Sequence, residues 1–166
     1  MQSSQVPQTP LTKLLENITI LLADNSQYLR KTMRTMLTNI GAKSIKEVGD
    51  GLAVIEAVRT IDPDVMILDW NIPTLSAPEI MRVIRSPGVF PKPDLPVIMV
   101  TGNSTRAVVG EAVRLGVHEI LVRPVSPKVL QQHLLSIFLA QRQMVQNGKH
   151  YIPQPRKQSD WALKKD

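Results

Sequence analysis

Cysteine is absent from this chain of 166 residues, aromatic residues make up only 4%, and no apolar run is longer than about five residues. Without cysteine, disulfides, thiolate metal sites and cysteine nucleophiles are excluded. Such runs are far shorter than the roughly 20 apolar residues of a membrane-spanning helix. The first residues, MQSSQVP, also lack the basic and apolar regions of a secretory signal. We therefore predict a cytoplasmic protein with no membrane association.

Charge is unevenly distributed along the chain. The formal net charge is +6, and residues 141–166 carry six of the twenty basic side chains but only two of the fourteen acidic ones. A basic segment suits nucleic acid, an anionic nucleotide or an acidic partner, but a solvated, solubilising segment has the same composition. We do not expect nucleic-acid binding. Residues 1–140 are enough for one hydrophobic core and no second domain.

The central stretch of the sequence is Val65–Asp69, in which four apolar residues end in an acid. It is too short for a buried helix and too apolar for a strand with one wet face, so we predict a central strand of a parallel sheet. A second run of this kind, at 18–23, also ends in an acid, Asp24. Ligands of such sheets bind beyond the carboxyl ends of the strands, which is where both acids are placed.

Five strand patterns alternate with five helical patterns. The predicted strands cover residues 18–23, 44–48, 65–69, 97–100 and 118–122. This alternation, with right-handed crossovers, predicts a doubly wound α/β fold with helices on both faces of a five-stranded parallel sheet. We predict that residues 1–16 form a flexible extension with a short helical turn at 11–17. We interpret residues 141–166 as a basic tail. As an alternative, part of this tail docks on the domain or on a second copy of the chain.

Four of the predicted strands end at polar residues, namely Asp24, Asp69, Thr101 and Arg123. If the strand order is 2-1-3-4-5, the first and third strands are neighbours, and both carboxylates open into one crevice. Two adjacent carboxylates suit Mg²⁺, which takes oxygen ligands and keeps waters that a phosphate group can replace.

Four short motifs at these strand ends carry a family resemblance. They are LLAD at 21–24, LDWNIP at 68–73, MVTG at 99–102 and LVRP at 121–124. In this order and placement, the chain resembles the receiver domain of bacterial two-component response regulators over about residues 17–140. The resemblance implies the flavodoxin-like strand order 2-1-3-4-5. Because residues 141–166 are too few for an output domain, the chain is similar to stand-alone receivers.

The resemblance implies that Asp69 is a phosphoacceptor, which takes a phosphoryl group from a histidine kinase or a phosphotransfer protein. Asp24, Asp69 and the backbone carbonyl of Asn71 would hold Mg²⁺. Thr101 would donate a hydrogen bond to the phosphoryl group. Arg123 would pair with the same group, at a position where the family has a lysine.

Several neighbouring residues have supporting roles under the same resemblance. Gly102 would leave room for the phosphoryl group, and the peptide bond before Pro124 is expected to be cis. We interpret Trp70 as a side chain at the rim of the crevice. Asn103 would either influence the lifetime of the phosphoryl group or cap its own loop. Ile120 stands where many receivers have an aromatic residue that responds to phosphorylation.

Some residues depart from the family pattern, and they keep an alternative function open. Ala23 replaces a second acid, Arg123 replaces the lysine, and Ala77 stands where a glycine is usual. The alternative is a degenerate receiver that acts as a docking adaptor independently of phosphorylation. An aspartyl-phosphate phosphatase would need a second acid two residues after the nucleophile, where this chain has Asn71. We therefore predict no enzyme activity beyond the protein's own phosphorylation and dephosphorylation.

The expected output is binding to a downstream protein through the last two helices and the fifth strand, by a monomer or weak homodimer.

The remaining polar residues have simple interpretations. We assign His118 and His133 to surface or helix-face positions, because no second ligand lies at metal-binding spacing. Asp94 and Glu119 are expected to be solvated.

Overall fold

The computed structural model describes residues 9–88 and 90–154, and its main sheet has five strands. These strands are β1 (Thr19–Ala23), β2 (Ser44–Val48), β3 (Val65–Asp69), β4 (Val97–Thr101) and β5 (Glu119–Val122). All neighbouring pairs are parallel, and the order is β2-β1-β3-β4-β5. The predicted doubly wound fold and its strand order are therefore confirmed.

The described residues also contain six helices, five of which follow the strands. They are α1 (Pro10–Glu16), α2 (Gln27–Asn39), α3 (Gly51–Ile61), α4 (Ala77–Ile84), α5 (Arg106–Arg114) and α6 (Pro127–Leu139). Each begins where a Ser, Thr or Asp side chain accepts a hydrogen bond from a backbone N–H of the first turn, which satisfies an otherwise unpaired donor. Within the described ranges, none has the length and apolar character needed to cross a membrane.

The sheet separates two apolar cores, because successive side chains of a strand point to opposite faces. Met66 and Leu68 of β3 point to the core under α3, α4 and α5. Val65 and Ile67 point to the core under α1, α2 and α6. All five residues of β3 are buried, as expected for a central parallel strand. This rigid strand fixes the position of its last residue, Asp69.

The N-terminal segment differs from the prediction. Residues 10–16 form helix α1, close to the helical turn predicted at 11–17, but this helix is packed on the domain and not flexible, because Leu15 is fully buried in the core beneath it. Thr12 packs against Gly41, in the turn that leads into the amino end of β2. The burial of Leu11 and Leu15, which are four residues apart, explains why this short helix is stable on the domain. The prediction for residues 1–8 lies outside the described residues.

The C-terminal segment contains a β-hairpin that docks on the domain. Its antiparallel strands are β6 (Met144–Asn147) and β7 (His150–Pro153). The Tyr151 N–H donates to the carbonyl of Arg85 at 3.0 Å, and the Arg142 guanidinium donates to the carbonyl of His118. This matches the alternative in which part of the tail docks back, while residues 155–166 lie outside the described residues. The hairpin contacts the amino end of β5, opposite the edge at which Asp69 lies.

Candidate functional site

Two carboxylates converge at the carboxyl edge of the sheet. Asp24 directly follows β1 and Asp69 ends β3, and these strands pair with Ala23 beside Leu68. The two side chains are largely buried, with residue exposures of 7% and 8%. Arg123, directly after β5, reaches both of them: its Nη2 lies 2.9 Å from Asp24 Oδ2 and 3.4 Å from Asp69 Oδ1. The structure thus brings together three of the four predicted strand-end residues through direct contacts.

Backbone groups fix one oxygen of each carboxylate. The Ser26 N–H donates to Asp24 Oδ1 at 2.8 Å, and the Asn71 N–H donates to Asp69 Oδ1 at 3.1 Å. Each bond closes a local turn two residues long, which is a conformation that aspartate favours. Asp69 Oδ2 accepts no hydrogen bond from any residue in the described ranges. This oxygen is therefore the one left for chemistry.

Arg30 supplies a second positive charge close to Asp24, which the sequence analysis missed. Its Nη1 donates to the backbone carbonyl of Asp24, and its Nε lies 3.6 Å from Glu47 of β2. Arg30 comes one helical turn after Ser26, the N-cap of α2. This spacing could have indicated that Arg30 lies near Asp24, because residues one turn apart lie on the same side of a helix.

Thr101 lies at the same edge but is engaged with its own loop. It is buried at the end of β4, and its hydroxyl donates to the Asn103 carbonyl at 3.1 Å and accepts from the Asn103 N–H at 3.0 Å. The Asn103 side chain in turn accepts from the Thr105 N–H, which is the loop-capping role. A Cβ added at Gly102 would meet no atom within 4 Å. The peptide bond between Arg123 and Pro124 is cis.

Comparison with known proteins decides the family. The model of the response regulator receiver domain matches residues 20–135, which is more than half of the chain. The chain belongs to this family. The chemotaxis protein CheY-3 of Vibrio cholerae is 29% identical over 125 residues, which cover 75% of this chain and 95% of the relative. The resemblance and the two-component signalling function predicted from the sequence are confirmed at the level of the family.

Solved receiver structures show the same fold. Chemotaxis protein CheY4 of Vibrio cholerae matches with a TM-score of 0.66 and 22% identity, over 73% of this chain and 98% of that one. The receiver domain of a sensor histidine kinase of Pseudomonas aeruginosa, with a magnesium ion coordinated in its active-site cleft, matches with a TM-score of 0.65 and 21% identity. That match covers 74% of this chain and 98% of the other. Receivers are signalling domains. The hairpin of this protein lies outside residues 20–135, which the family model matches.

Two further residues lie at the margin of the receiver's site. Trp70 and Ile120 are half-buried, and both pack against the core under α3, α4 and α5. Trp70 directly follows Asp69, and its backbone N–H donates to the Val100 carbonyl at 2.9 Å. This partly covered indole is consistent with the rim position that we predicted.

The structure corrects one prediction about a polar residue. Glu119 is 4% exposed and lies 3.1 Å from His133 Nδ1, so the prediction of a solvated side chain is wrong. A carboxylate on the core-facing side of β5 needs such a partner. His118 Nδ1 accepts from the Val97 N–H at 3.3 Å, which ties β5 to β4. Asp94 is exposed, as predicted.

The electrostatic environment perturbs Asp24. Burial raises the pKa of this carboxyl above its usual value of 3.8, and the charge of Asp69 raises it further. The Ser26 N–H and the Arg123 guanidinium act in the opposite direction without cancelling the effect of burial. The folded protein therefore holds a proton on Asp24 more tightly than the unfolded chain does.

We expect Asp24→Asn to raise the Tm of the receiver by a few degrees at pH 7 in the presence of EDTA. Because the folded-state pKa of Asp24 is higher than 3.8, the protein loses stability as the pH rises from 3.8 through that pKa and the carboxyl ionises. The neutral amide of asparagine does not ionise, so it avoids this loss. The gain should disappear below pH 3.8, where the carboxyl is protonated in both states. Thermal unfolding at several pH values measures it. Glu56→Gln, at an exposed position of α3, is the control, and a lower Tm of Asp24→Asn at pH 7 would contradict the expectation.

The donor set at this edge fits Mg²⁺. Two carboxylates and the nearby Asn71 carbonyl are hard oxygen ligands, and Mg²⁺ usually takes one or two carboxylates and keeps several waters. Within residues 9–88 and 90–154, no three His, Cys, Asp or Glu side chains gather around a metal position, so two carboxylates are the most that this edge offers. A cavity of about 390 Å³ opens beside Asp24 and Asp69, but the rest of its lining is mostly apolar and does not include Asn71. The fit to the ion therefore rests on the oxygen ligands alone.

Proposed function

We propose that Asp69 of this receiver accepts a phosphoryl group from a histidine kinase or a phosphotransfer protein. The observation that carries this proposal is the state of the Asp69 carboxylate: Oδ1 is held by Asn71 and Arg123, while Oδ2 has no partner among the described residues. Attack by Oδ2 forms an oxygen–phosphorus bond as the nitrogen–phosphorus bond of the donor phosphohistidine breaks. The product is an acyl phosphate on Asp69 and a free histidine on the donor.

The surrounding residues would offset the repulsion between the carboxylate and the incoming phosphoryl group. Asp24, Asp69 and the Asn71 carbonyl would hold Mg²⁺, which supplies positive charge against the phosphoryl oxygens when it is bound. Arg123 would pair with a phosphoryl oxygen. The Thr101 hydroxyl would exchange its bond to the Asn103 carbonyl for one to another phosphoryl oxygen. Each of these side chains already lies at the carboxyl edge of the sheet.

We also propose that the output of this cytoplasmic protein is the binding of a downstream protein by α5, β5 and α6. These elements expose Val113, Val122 and Val129, with exposures of 54%, 44% and 39%, and β5 is an edge strand of the sheet. Both α1 and the hairpin contact the opposite edge, so they leave the phosphoacceptor accessible to a kinase. A monomer or a weak homodimer is consistent with this arrangement.

Mass spectrometry of the intact protein, after incubation with acetyl phosphate and Mg²⁺, tests the proposal. We expect the mass of one phosphoryl group to be added to the wild type and none to Asp69→Ala. Asp94→Ala, which changes an exposed carboxylate at the opposite edge, should be labelled like the wild type. EDTA should prevent labelling. An unlabelled wild type, or equal labelling of Asp69→Ala, would refute the assignment.

One observation favours the second candidate, a docking adaptor that works without phosphorylation. Arg123 already pairs with both acids, which balances much of the charge that Mg²⁺ would otherwise balance. In this case, labelling would fail although the fold and the surface of α5, β5 and α6 are intact. The labelling experiment therefore separates the two candidates.

A further inference from the structure

We propose that Arg123 is an internal cation that competes with Mg²⁺ for the two carboxylates and thereby sets the metal affinity of this receiver. The inference rests on the proposed function in one respect, namely that the metal binds to Asp24 and Asp69. It adds a regulatory role to a residue whose proposed partner is the phosphoryl group. In this role, Arg123 exchanges its carboxylate contacts for a phosphoryl contact when the metal enters.

The first step of the argument is the set of contacts that the guanidinium makes. Nη2 lies 2.9 Å from Asp24 Oδ2 and 3.4 Å from Asp69 Oδ1, and Nη1 lies 3.5 Å from Asp69 Oδ1. The acidic side chains are 9% and 10% exposed, and that of Arg123 is 25% exposed. One planar group therefore bridges two largely buried carboxylates, where solvent screening is weaker than on an open surface.

The second step is that the metal and the guanidinium need the same oxygens. Asp24 Oδ1 is engaged with the Ser26 N–H, and the other oxygen, Oδ2, is bonded to Arg123. Mg²⁺ binds oxygens at about 2.0–2.1 Å with nearly octahedral geometry. A guanidinium nitrogen between the two carboxylates blocks this geometry and repels the ion. Arg123 must therefore move away from Asp24 before the metal is bound by both acids.

The third step is that the bridge depends on the shape of arginine as well as on its charge. A guanidinium presents several donors in a rigid planar fork, whereas a lysine ammonium is a compact charge on a flexible stem. A lysine at this position would offer one nitrogen in place of Nη1 and Nη2, so it would make fewer contacts with the two carboxylates and oppose the metal less. The identity of residue 123 therefore determines how strongly its side chain competes with Mg²⁺ for the two carboxylates.

Calorimetric titration of the full chain with Mg²⁺ tests the proposal. We expect Arg123→Met to bind Mg²⁺ at least about tenfold more tightly than the wild type, because the competing cation is gone. Arg123→Lys should lie between the two. Arg106→Met is the matched control, because it removes an exposed arginine of α5 that is not in contact with the acids, and its affinity should equal that of the wild type.

Thermal unfolding gives a second readout that does not depend on phosphorylation. In EDTA, Arg123→Met should unfold at a lower temperature than the wild type, because its two carboxylates then repel each other without a cation between them. Saturating Mg²⁺ should raise its Tm by more than that of the wild type, since tighter binding gives more stabilisation at the same metal concentration. If this variant does not fold, Arg123→Lys carries both measurements.

The outcomes separate this proposal from the proposed function. Equal Mg²⁺ affinities of the wild type and Arg123→Lys would overturn the role of the fork, and an effect of Arg106→Met as large as that of Arg123→Met would overturn direct competition. Labelling of the wild type by acetyl phosphate at saturating Mg²⁺ would leave the phosphoacceptor assignment standing in both cases. Conversely, the expected order of affinities together with an unlabelled wild type would support competition and refute phosphorylation.

Discussion

Replacement of Arg85 by methionine should lower the free energy of unfolding by about 3 kcal/mol or more, since each buried acceptor that loses its donor costs about 1–3 kcal/mol. Arg85 is 0% exposed, and its guanidinium donates to three backbone carbonyls. Nε and Nη2 bond to Gly116 at 3.1 and 2.9 Å, Nη1 bonds to Pro93 at 2.7 Å, and Nη2 bonds to Leu95 at 2.7 Å. Methionine fills similar space but satisfies none of these oxygens.

The burial of the charge itself acts in the opposite direction. Burial lowers the pKa of Arg85 to about 9, so the guanidinium stays protonated at neutral pH and methionine relieves its desolvation. The three carbonyls would remain buried without a donor. Denaturant unfolding monitored by circular dichroism measures the difference. Arg82→Met, at an exposed position of α4, should change stability by less than about 0.5 kcal/mol, and equal stability of the two variants would contradict the expectation.

Gly51→Ala should destabilise the receiver by about 3 kcal/mol, at the upper end of the usual cost of forcing extra atoms into a packed site. A Cβ at Gly51 would lie 2.1 Å from the Leu75 carbonyl oxygen and 2.6 Å from Leu75 Cβ. The carbonyl oxygen is a backbone atom and the Cβ is bonded directly to the backbone, so neither can rotate away. The Gly51 N–H also donates to the Pro73 carbonyl at 3.0 Å, which ties α3 to the loop after Asp69.

Because this loop carries Asn71, Gly51→Ala should also slow labelling of Asp69 by acetyl phosphate. Denaturant unfolding and the initial rate of labelling measure the two effects. Gly102→Ala is the matched control for stability, because no atom lies within 4 Å of its added Cβ. Wild-type stability of Gly51→Ala would show that the loop yields without cost and would contradict the expected destabilisation. An unchanged initial rate of labelling would contradict the expected slowing.

The sheet and its acidic edge could be predicted because they depend on strong local signals. A fully buried parallel strand such as Val65–Asp69 has a continuous apolar run, and its first polar residue marks the carboxyl end. Parallel pairing then places Asp24 and Asp69 at one edge, so their proximity follows from the strand order alone. The direct pairing of both acids with Arg123 did not follow, because it depends on side-chain conformations across three strands.

Both additions to the domain were harder to predict, for different reasons. The sequence predicts a helical turn at 11–17, but helix α1 buries few apolar side chains, chiefly Leu11 and Leu15, so its pattern is too short to predict that it packs on the domain. The hairpin did carry a signal, since Asn147 is followed by Gly148, which has a positive φ of 64° in the turn. An Asn-Gly pair between two short extended segments favours a hairpin. Its strands have only four residues each, and their burial pattern is weak.

The position of the hairpin has a practical consequence for biosensor experiments. Gln154 follows β7, on the side of the sheet remote from Asp69, and its N–H donates to the Gln143 carbonyl within the hairpin. A biotin attached at this residue would anchor the molecule on a streptavidin surface with the edge that carries Asp69 directed toward the flowing solution. Kinases passed over such a surface would meet all immobilised molecules in one orientation.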